Sequence, residues 1–298
     1  MPELPEVETV RRGLAELLPG RVFAAASTDN QKSFPNATAD VDAFLIGAKV
    51  LGVRRRAKVL LIDLSSNYSL VVHLKMTGQL VFVGPGVRFG AGHPNDSLVG
   101  QLPDKSTRVE FTFVDGSTLF FNDQRKFGWV RLLPTSEVPN IEFMRKVGPE
   151  PLEATFTAHD FAARLQRRQN TSIKAALLDQ SVIAGVGNIY ADESLWGARI
   201  HPATLVRNVS SRKLHTLFSE LRYVLNLAIE KGGSSDKNYV NAEGKRGSYL
   251  RFARVFRREG QACPRCGNTI IKLRVAGRGT HICPHCQRLK APKTGSES

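Results

Sequence analysis

Four cysteines near the carboxyl end of the chain have the spacing of a metal site. They form two C-x2-C pairs, Cys263 with Cys266 and Cys283 with Cys286, separated by 16 residues. Two such short turns present four thiolates to one tetrahedral ion, so the pattern favours one structural zinc ion in a zinc ribbon. A redox pair or an iron–sulfur site is the alternative. Because the thiols are clustered, unlike those of a disulfide-rich secreted protein, they also indicate a reducing cytoplasm.

The amino end carries a second group that could do chemistry. Pro2 follows Met1, a context in which the initiator methionine is normally removed to leave a free secondary amine. A main-chain amine has a pKa of about 8, against about 10.4 for lysine, so a neutral fraction exists at cellular pH. Such an amine can attack a sugar carbon to give an iminium, and Glu3 is the nearest carboxylate to move protons. The alternative is that Pro-x-x-Pro only stiffens the entry to a helix.

The charge of the chain indicates a polyanionic partner. The 298 residues include 42 Lys and Arg against 27 Asp and Glu, a formal net charge of +15. Residues 243–290 alone hold 12 Lys and Arg against 2 Asp and Glu. Nucleic acid is the first candidate and an acidic membrane surface the second. No apolar run approaches the roughly 20 residues that span a bilayer, and the acidic start is unlike a signal peptide, so no membrane partner is expected.

Hydrophobic periodicity predicts an amino-terminal half rich in strands. A helix is predicted from Pro5 to Leu18, because apolar residues recur every three or four positions before Pro19-Gly20. Two β-hairpins follow, at 59–64 with 70–74 and at 109–114 with 118–121, and the Gly- and Pro-rich residues 84–104 are expected to form a long loop. The pattern is typical of an antiparallel β-sandwich with flanking helices.

Beyond residue 134 the periodicity becomes helical, and the expected fold class is α+β. Helices are predicted at 158–167, 173–180, 189–196 and 212–231, with Asn188 as the N-cap of the third, where free amides attract anions. The expected organisation is a sandwich domain at 1–134, a linker at 135–155, a helical domain at 156–242, a four-cysteine zinc finger at 243–288 and a disordered tail at 289–298.

Seven motifs precede the cysteines, in this order: Met1–Leu14, Arg55-Arg-Ala-Lys58, His73-Leu-Lys-Met-Thr-Gly78, Asn122-Asp-Gln-Arg-Lys-Phe-Gly128, Gly148-Pro-Glu-Pro151, Ile173–Gln180 and Ala184–Glu193. Together they closely resemble the bacterial formamidopyrimidine-DNA glycosylases over roughly residues 1–288. The resemblance implies that the helical domain is a helix-two-turn-helix DNA-binding domain. It also implies a monomeric, cytoplasmic, nucleoid-associated repair enzyme that excises oxidised purines from double-stranded DNA and nicks the strand by β,δ-elimination.

The resemblance assigns the chemistry to four positions, Pro2, Glu3, Lys58 and Arg278, with Glu6 in support. Pro2 matches the nucleophile that forms the Schiff base, Glu3 matches the group that moves protons at the sugar, and Glu6 is a supporting carboxylate. Lys58 matches a lysine that acts near the lesion and in elimination. Arg278, expected at the tip of the ribbon hairpin, matches an arginine that binds flanking phosphates and assists the second elimination.

The resemblance also assigns DNA contacts. An everted base leaves a hole in the duplex, and apolar wedges with an arginine offset the lost stacking. Three residues match this filling role: Met76, Arg125 and Phe127. Lys174 and Asn188 match residues that grip phosphate, and His73 lies in a matching motif.

Three departures from the family pattern bear on DNA contacts. Lys105-Ser-Thr-Arg108 stands where a His-x-His pair is common, so Ser106 or Arg108 is expected to replace a phosphate-contacting histidine. Val59 replaces a common tyrosine. The lesion-capping segments Gly232–Tyr239 and Gly244–Tyr249 differ from relatives, which makes base preference the least direct inference.

Two other functions compete with this interpretation. The endonuclease VIII branch shares the nucleophile and the ribbon but favours oxidised pyrimidines. A non-catalytic zinc-ribbon DNA-binding protein would explain the charge, Asn188 and the cysteines, but not Pro2 and Glu3.

Overall fold

The computed structural model describes residues 1–93, 95–234 and 249–289. Contacts divide the chain into two compact units, one formed by 1–147 with 227–251 and the other by 148–226 with 252–298. Most of the predicted lesion-capping segments, and residues 290–298 of the predicted tail, lie outside the described residues. Within the described part, no helix combines the length and the apolar character needed to cross a membrane.

The first unit opens with helix α1 (Leu4–Leu17), as the periodicity predicts. Glu3 and Glu6 form a reciprocal capping box at its start, and Pro5 occupies its first turn, where a missing N–H costs nothing. Val7, Val10 and Leu14 line the buried face. The helix ends before Pro19 and Gly20, and Gly20 has the left-handed backbone conformation that glycine tolerates.

Two antiparallel sheets pack around one core in the first unit. Their strands are β1 (Phe23–Thr28), β2 (Val50–Arg56), β3 (Val59–Leu64), β4 (Tyr68–His73), β5 (Gly78–Gly84), β6 (Val87–Gly92), β7 (Thr107–Phe113), β8 (Thr118–Asp123) and β9 (Trp129–Pro134). One has strand order β1-β7-β8-β5-β6 and the other β2-β3-β4-β9. Apolar side chains of both sheets and of α1 share the core, which confirms the predicted sandwich. Both predicted hairpins, β3 with β4 and β7 with β8, are present.

The predicted long loop at 84–104 is wrong in its first half. Residues 87–92 form strand β6, which pairs with β5, and Asp96–Leu98 form a 3₁₀ turn. The glycines that suggested a loop instead allow close packing: a Cβ on Gly92 would lie 2.5 Å from the Gly78 carbonyl oxygen. Phe89 supplies the apolar anchor, buried in the core.

Helical segments flank the sheets. Helix α2 (Thr38–Phe44) lies inside the region predicted to hold strands. The stretch expected as a linker begins with a 3₁₀ helix at Thr135–Asn140 and α3 (Glu142–Lys146). Val138 and Phe143 of these segments pack on the outer face of β3 and β4.

The second unit contains the predicted helices and a hairpin. The helices are α4 (Ala158–Gln166), α5 (Ile173–Leu178), α6 (Asn188–Gly197) and α7 (Ser211–Glu230), and the last residues of α7 belong by their contacts to the first unit. Strands β10 (Ile271–Val275) and β11 (Arg278–Ile282) form the expected ribbon hairpin between the cysteine pairs. The observed class is therefore α+β, as predicted.

Candidate functional site

The amino end is held by the first turn of α1. Pro2 and Glu3 are buried, and the backbone N–H of Glu3 donates to Glu6 Oε2 at 2.8 Å. The other carboxylate oxygen of Glu6 accepts from the N–H of Ser234 at 2.8 Å. Glu6 therefore fixes the backbone of Glu3 next to Pro2.

Lys58, expected to act near the lesion, lies in the turn between β2 and β3. It directly follows Ala57, which adopts a left-handed φ of 54°. The guanidinium of Arg55 donates to the Ala57 carbonyl at 2.8 Å and to Glu8 Oε2 of α1 at 3.1 Å. Burial raises the pKa of the Glu8 carboxyl, but hydrogen bonds and charges from Arg11 and Arg55 outweigh this and hold it below its ordinary value. The Glu8–Arg55 pair thus connects helix α1, which begins two residues after Pro2, to the turn that carries Lys58.

Three residues expected to fill the space of an everted base form one exposed cluster. Pairing of Gly78 with Asp123 brings the segment before β5 next to the segment after β8. The Arg125 guanidinium lies 4.9 Å from the centre of the Phe127 ring and 3.2 Å from Met76 Sδ. Phe127 is 52% exposed and Met76 36% exposed, so both apolar side chains are presented to solvent.

A buried carboxylate that the sequence reasoning missed, Asp123, holds this cluster in place. Its side chain accepts from the Thr77 hydroxyl and from the backbone N–H groups of Arg125 at 3.2 Å and Gly128 at 2.6 Å. A Cβ on Gly128 would lie 2.7 Å from the Phe121 ring, so the loop closes tightly there. The motif Asn122–Gly128 contains Asp123, but only the fold shows that its side chain points inward.

His73 lies beside this cluster at the end of β4 and is buried. Burial, together with the positive charges of Lys75 and Lys58, lowers the pKa of His73 to about 3. The neutral ring accepts from the Lys75 N–H through Nδ1 at 3.0 Å. His73 therefore shapes the backbone before Met76, and burial separates it from the exposed surface on which a DNA contact was expected.

The residues expected to replace a phosphate-contacting histidine are also buried. The Ser106 hydroxyl bonds Asp104 Oδ1 at 2.7 Å and lies 2.9 Å from the Ser97 hydroxyl. The Arg108 guanidinium donates to the Asp123 carbonyl at 2.9 Å and pairs with Asp29. Both side chains are committed to internal bonds, so their placement does not favour a phosphate contact.

Two expectations about the helical domain need correction. Gly187, not Asn188, is the N-cap of α6; Asn188 is its first residue and donates through Nδ2 to the Gly279 carbonyl at 3.0 Å. Lys174, expected to grip phosphate, is fully buried, and its ammonium bonds Asp192 Oδ1 at 2.6 Å and Thr280 Oγ1 at 2.7 Å. The spacing of residues in the sequence does not predict the ion pair between Lys174 and Asp192.

The four cysteines meet as their spacing predicts. Their Sγ atoms all lie within 4.8 Å of one another, and the separations include 3.4, 3.5 and 4.0 Å. A tetrahedral ion with Zn–S bonds of about 2.3 Å needs sulfur atoms about 3.8 Å apart. The cluster can therefore hold one metal ion. Arg278 begins β11, directly after the hairpin turn, and its side chain is exposed.

Comparisons with known proteins agree along the chain. Residues 1–130 match the formamidopyrimidine-DNA glycosylase N-terminal domain, residues 147–239 the formamidopyrimidine-DNA glycosylase H2TH domain, and residues 260–289 a zinc finger found in FPG and IleRS. Formamidopyrimidine-DNA glycosylases of Pelotomaculum thermopropionicum and Pediococcus pentosaceus are 40% and 41% identical, each aligned over 97% of this chain and 100% of the relative.

Solved structures give the same result. Wild-type Lactococcus lactis Fpg in complex with N7-benzyl-Fapy-dG containing DNA is 33% identical with a TM-score of 0.84, covering 97% of this chain and 100% of that one. Lactococcus lactis Fpg with abasic-site DNA is 32% identical with a TM-score of 0.84, covering 96% and 100%.

Proposed function

Because the chain belongs to the formamidopyrimidine-DNA glycosylase family, we propose that it excises oxidised purines, 8-oxoguanine and formamidopyrimidines, from duplex DNA and then cleaves the strand. The geometric observation that carries the proposal is the exposed cluster of Met76, Arg125 and Phe127. Two apolar side chains and a guanidinium on a firmly held loop suit the space that an everted base leaves, and an arginine can bond the unpaired partner base.

The first step is assigned to Pro2. After removal of Met1, the lone pair of the proline nitrogen attacks C1′ of the damaged nucleotide, the bond from C1′ to the base breaks, and the base leaves with a proton. The C1′–O4′ bond of the sugar then breaks as the nitrogen lone pair forms the iminium with C1′. Glu3, the carboxylate next to the nucleophile, moves the proton that O4′ takes up. Glu6 holds the Glu3 backbone in place through the capping bond described above.

The iminium then drives strand cleavage. It withdraws electrons from C2′, so a proton leaves there and the C3′–O bond breaks. A second elimination removes a proton from C4′ and breaks the C5′–O bond. Lys58 is assigned to proton transfer near the lesion, and Arg278 to the phosphates that flank it and to the second elimination. Of the other residues expected to contact DNA, Asn188 is half-buried and is assigned to phosphate. His73, Ser106 and Lys174 are buried and are assigned to holding the surrounding structure.

We assign one zinc ion to Cys263, Cys266, Cys283 and Cys286. Sulfur separations near the tetrahedral value support this assignment. Four thiolates complete the coordination sphere, so the ion would shape the ribbon and leave no position for an activated water. The protein is proposed to act as a monomer on the nucleoid in the cytoplasm.

The proposal is tested with three duplexes that carry 8-oxoguanine, an oxidised pyrimidine or a preformed abasic site. Faster excision of 8-oxoguanine than of the oxidised pyrimidine supports the assignment. The reverse preference would place the protein in the endonuclease VIII branch, and binding without cleavage would make it a DNA-binding protein. Glu3→Gln should slow excision more than cleavage of the abasic duplex, in which the base has already left.

A further inference from the structure

A fully buried charge cluster joins the helical domain to the zinc ribbon within the second unit. The ammonium of Lys174 on α5 bonds Asp192 Oδ1 of α6 at 2.6 Å and Thr280 Oγ1 of β11 at 2.7 Å. The other oxygen of Asp192 accepts from the backbone N–H of His281 at 2.9 Å. The pair therefore holds two neighbouring residues of β11 at once.

The contacts continue along β11 to Arg278. Thr280 accepts from Lys174 and donates its own hydroxyl proton to the Arg278 carbonyl at 3.0 Å. Between them, the Gly279 carbonyl accepts from Asn188 Nδ2 at 3.0 Å. In the described residues β11 pairs with β10 alone, so side chains of α5 and α6 bond the edge that a third strand would occupy.

The energetics of burial favour a positioning role for this pair. Removing two charges from water costs several kcal/mol per ion, and well-packed apolar residues often stabilise a fold as well as a buried ion pair does. An ion pair does specify geometry, because each of its atoms requires a partner at a defined place. The bonds named above join Lys174 to Asp192, Lys174 to Thr280 and Asp192 to His281. Thr280 and His281 lie on β11, two and three residues after Arg278.

We propose that Lys174 and Asp192 are positioning residues that act through Thr280 to fix Arg278, and that Lys174 does not contact DNA. This inference rests on the proposed function, in which Arg278 binds phosphate and assists the second elimination. Loss of the link should leave zinc bound and the first elimination intact, but should slow the second.

The test compares Thr280→Val with Thr280→Ser in the full-length, zinc-loaded protein. Valine keeps the shape and removes the hydroxyl, whereas serine keeps the hydroxyl. Thr269→Val is the matched control, since Thr269 is exposed on the same ribbon and pairs with Ala262 through a backbone bridge. Rates of the first and second eliminations are measured on a preformed abasic duplex, with zinc content checked in each variant.

We expect Thr280→Val to slow the second elimination about 10-fold relative to the first, the scale of one lost hydrogen bond to a charged group. Thr280→Ser and Thr269→Val should stay within about 2-fold of the parent. In an Arg278→Ala background Thr280→Val should have no further effect, because residues that act as one unit are not additive. An unchanged product ratio, or an equal loss in the Arg278→Ala background, would overturn the proposal.

Hydrogen exchange separates this proposal from the proposed function. Exchange of the Gly279–Ile282 amides should be faster in Thr280→Val than in Thr280→Ser whether or not the protein cleaves DNA. If the parent protein cleaves no DNA, the proposed function fails and hydrogen exchange alone decides the positioning role. If the parent cleaves but both variants exchange alike, the positioning role is wrong while the function stands.

Discussion

Replacement of Asp123 by asparagine should slow base eversion, although Asp123 itself is not expected to contact DNA. The carboxylate accepts from three donors, the Thr77 hydroxyl and the N–H groups of Arg125 and Gly128. Asparagine has one oxygen and one NH₂ group, so at least one buried donor would face another donor. An unsatisfied buried donor costs about 1–3 kcal/mol, and the remaining bonds lose their charge assistance, so we expect a loss of about 2–4 kcal/mol.

Two measurements follow from this loss. The melting temperature should fall by roughly 5–15 °C, the shift that such a loss causes in a unit of this size. At a temperature at which the variant is folded, single-turnover excision of 8-oxoguanine should slow by roughly 10- to 100-fold, because small displacements of positioned groups carry penalties of this order. Cleavage of a preformed abasic duplex should change less, since no base has to be everted.

Asp115→Asn provides the matched control. Asp115 also accepts from a backbone N–H and a hydroxyl, both of Ser117, but lies in the exposed turn of the hairpin β7–β8. Its loss should cost about 1 kcal/mol or less and leave excision unchanged. The reasoning is refuted if Asp123→Asn excises 8-oxoguanine within about 2-fold of the parent rate, or if both variants lose stability equally.

Three further predictions concern His73, the cysteines and Arg278. Folding lowers the pKa of His73 from 6.5 to about 3. The neutral ring therefore contributes its full stabilisation above pH 6.5, and this stabilisation is lost as the pH falls toward 3. At pH 5 the free energy of unfolding should be lower by roughly 2 kcal/mol than at neutral pH. Urea unfolding at pH 7.5 and pH 5 should show a smaller difference for His73→Asn than for the parent, and equal differences would contradict the assignment. Cys266→Ser should lose the metal, measured by elemental analysis, and should weaken DNA binding before it alters cleavage at saturating protein; full metal content in the variant would count against a four-thiolate site. Arg278→Ala should lower the affinity for damaged and undamaged duplex alike and reduce the slope of log affinity against log salt by about 1; an unchanged slope would mean that Arg278 neutralises no phosphate.

Local patterns predicted most of the elements because their causes are local. Helix α1 has clear periodicity and is followed by Pro19-Gly20. In the hairpin β7–β8, residues 109–113 alternate between apolar and polar before an Asp-Gly turn. Both elements occur where expected. The sequence does not predict strand β6, because Gly90 and Gly92 resemble loop residues. In the fold, a side chain at either position would crowd the backbone of a neighbouring segment.

The candidate site was predictable where spacing fixes geometry, and less so where tertiary contacts do. The cysteine pairs meet because each short turn brings its own two thiolates together. Met76 and Arg125, 49 positions apart, are brought together only by the pairing of β5 with β8. The burial of Lys174 depends on Asp192 and Thr280, which no local pattern connects to it.

Borohydride trapping shows whether the Pro2 nitrogen forms the covalent intermediate. Protein and 8-oxoguanine duplex are mixed with borohydride, and the reduced adduct is digested and mapped by mass spectrometry. We expect an adduct on the N-terminal peptide beginning at Pro2. We expect no adduct from protein that retains Met1, because the proline nitrogen is then an amide without nucleophilic character. An adduct on Lys58, or normal excision by the Met1-retaining protein, would contradict the account.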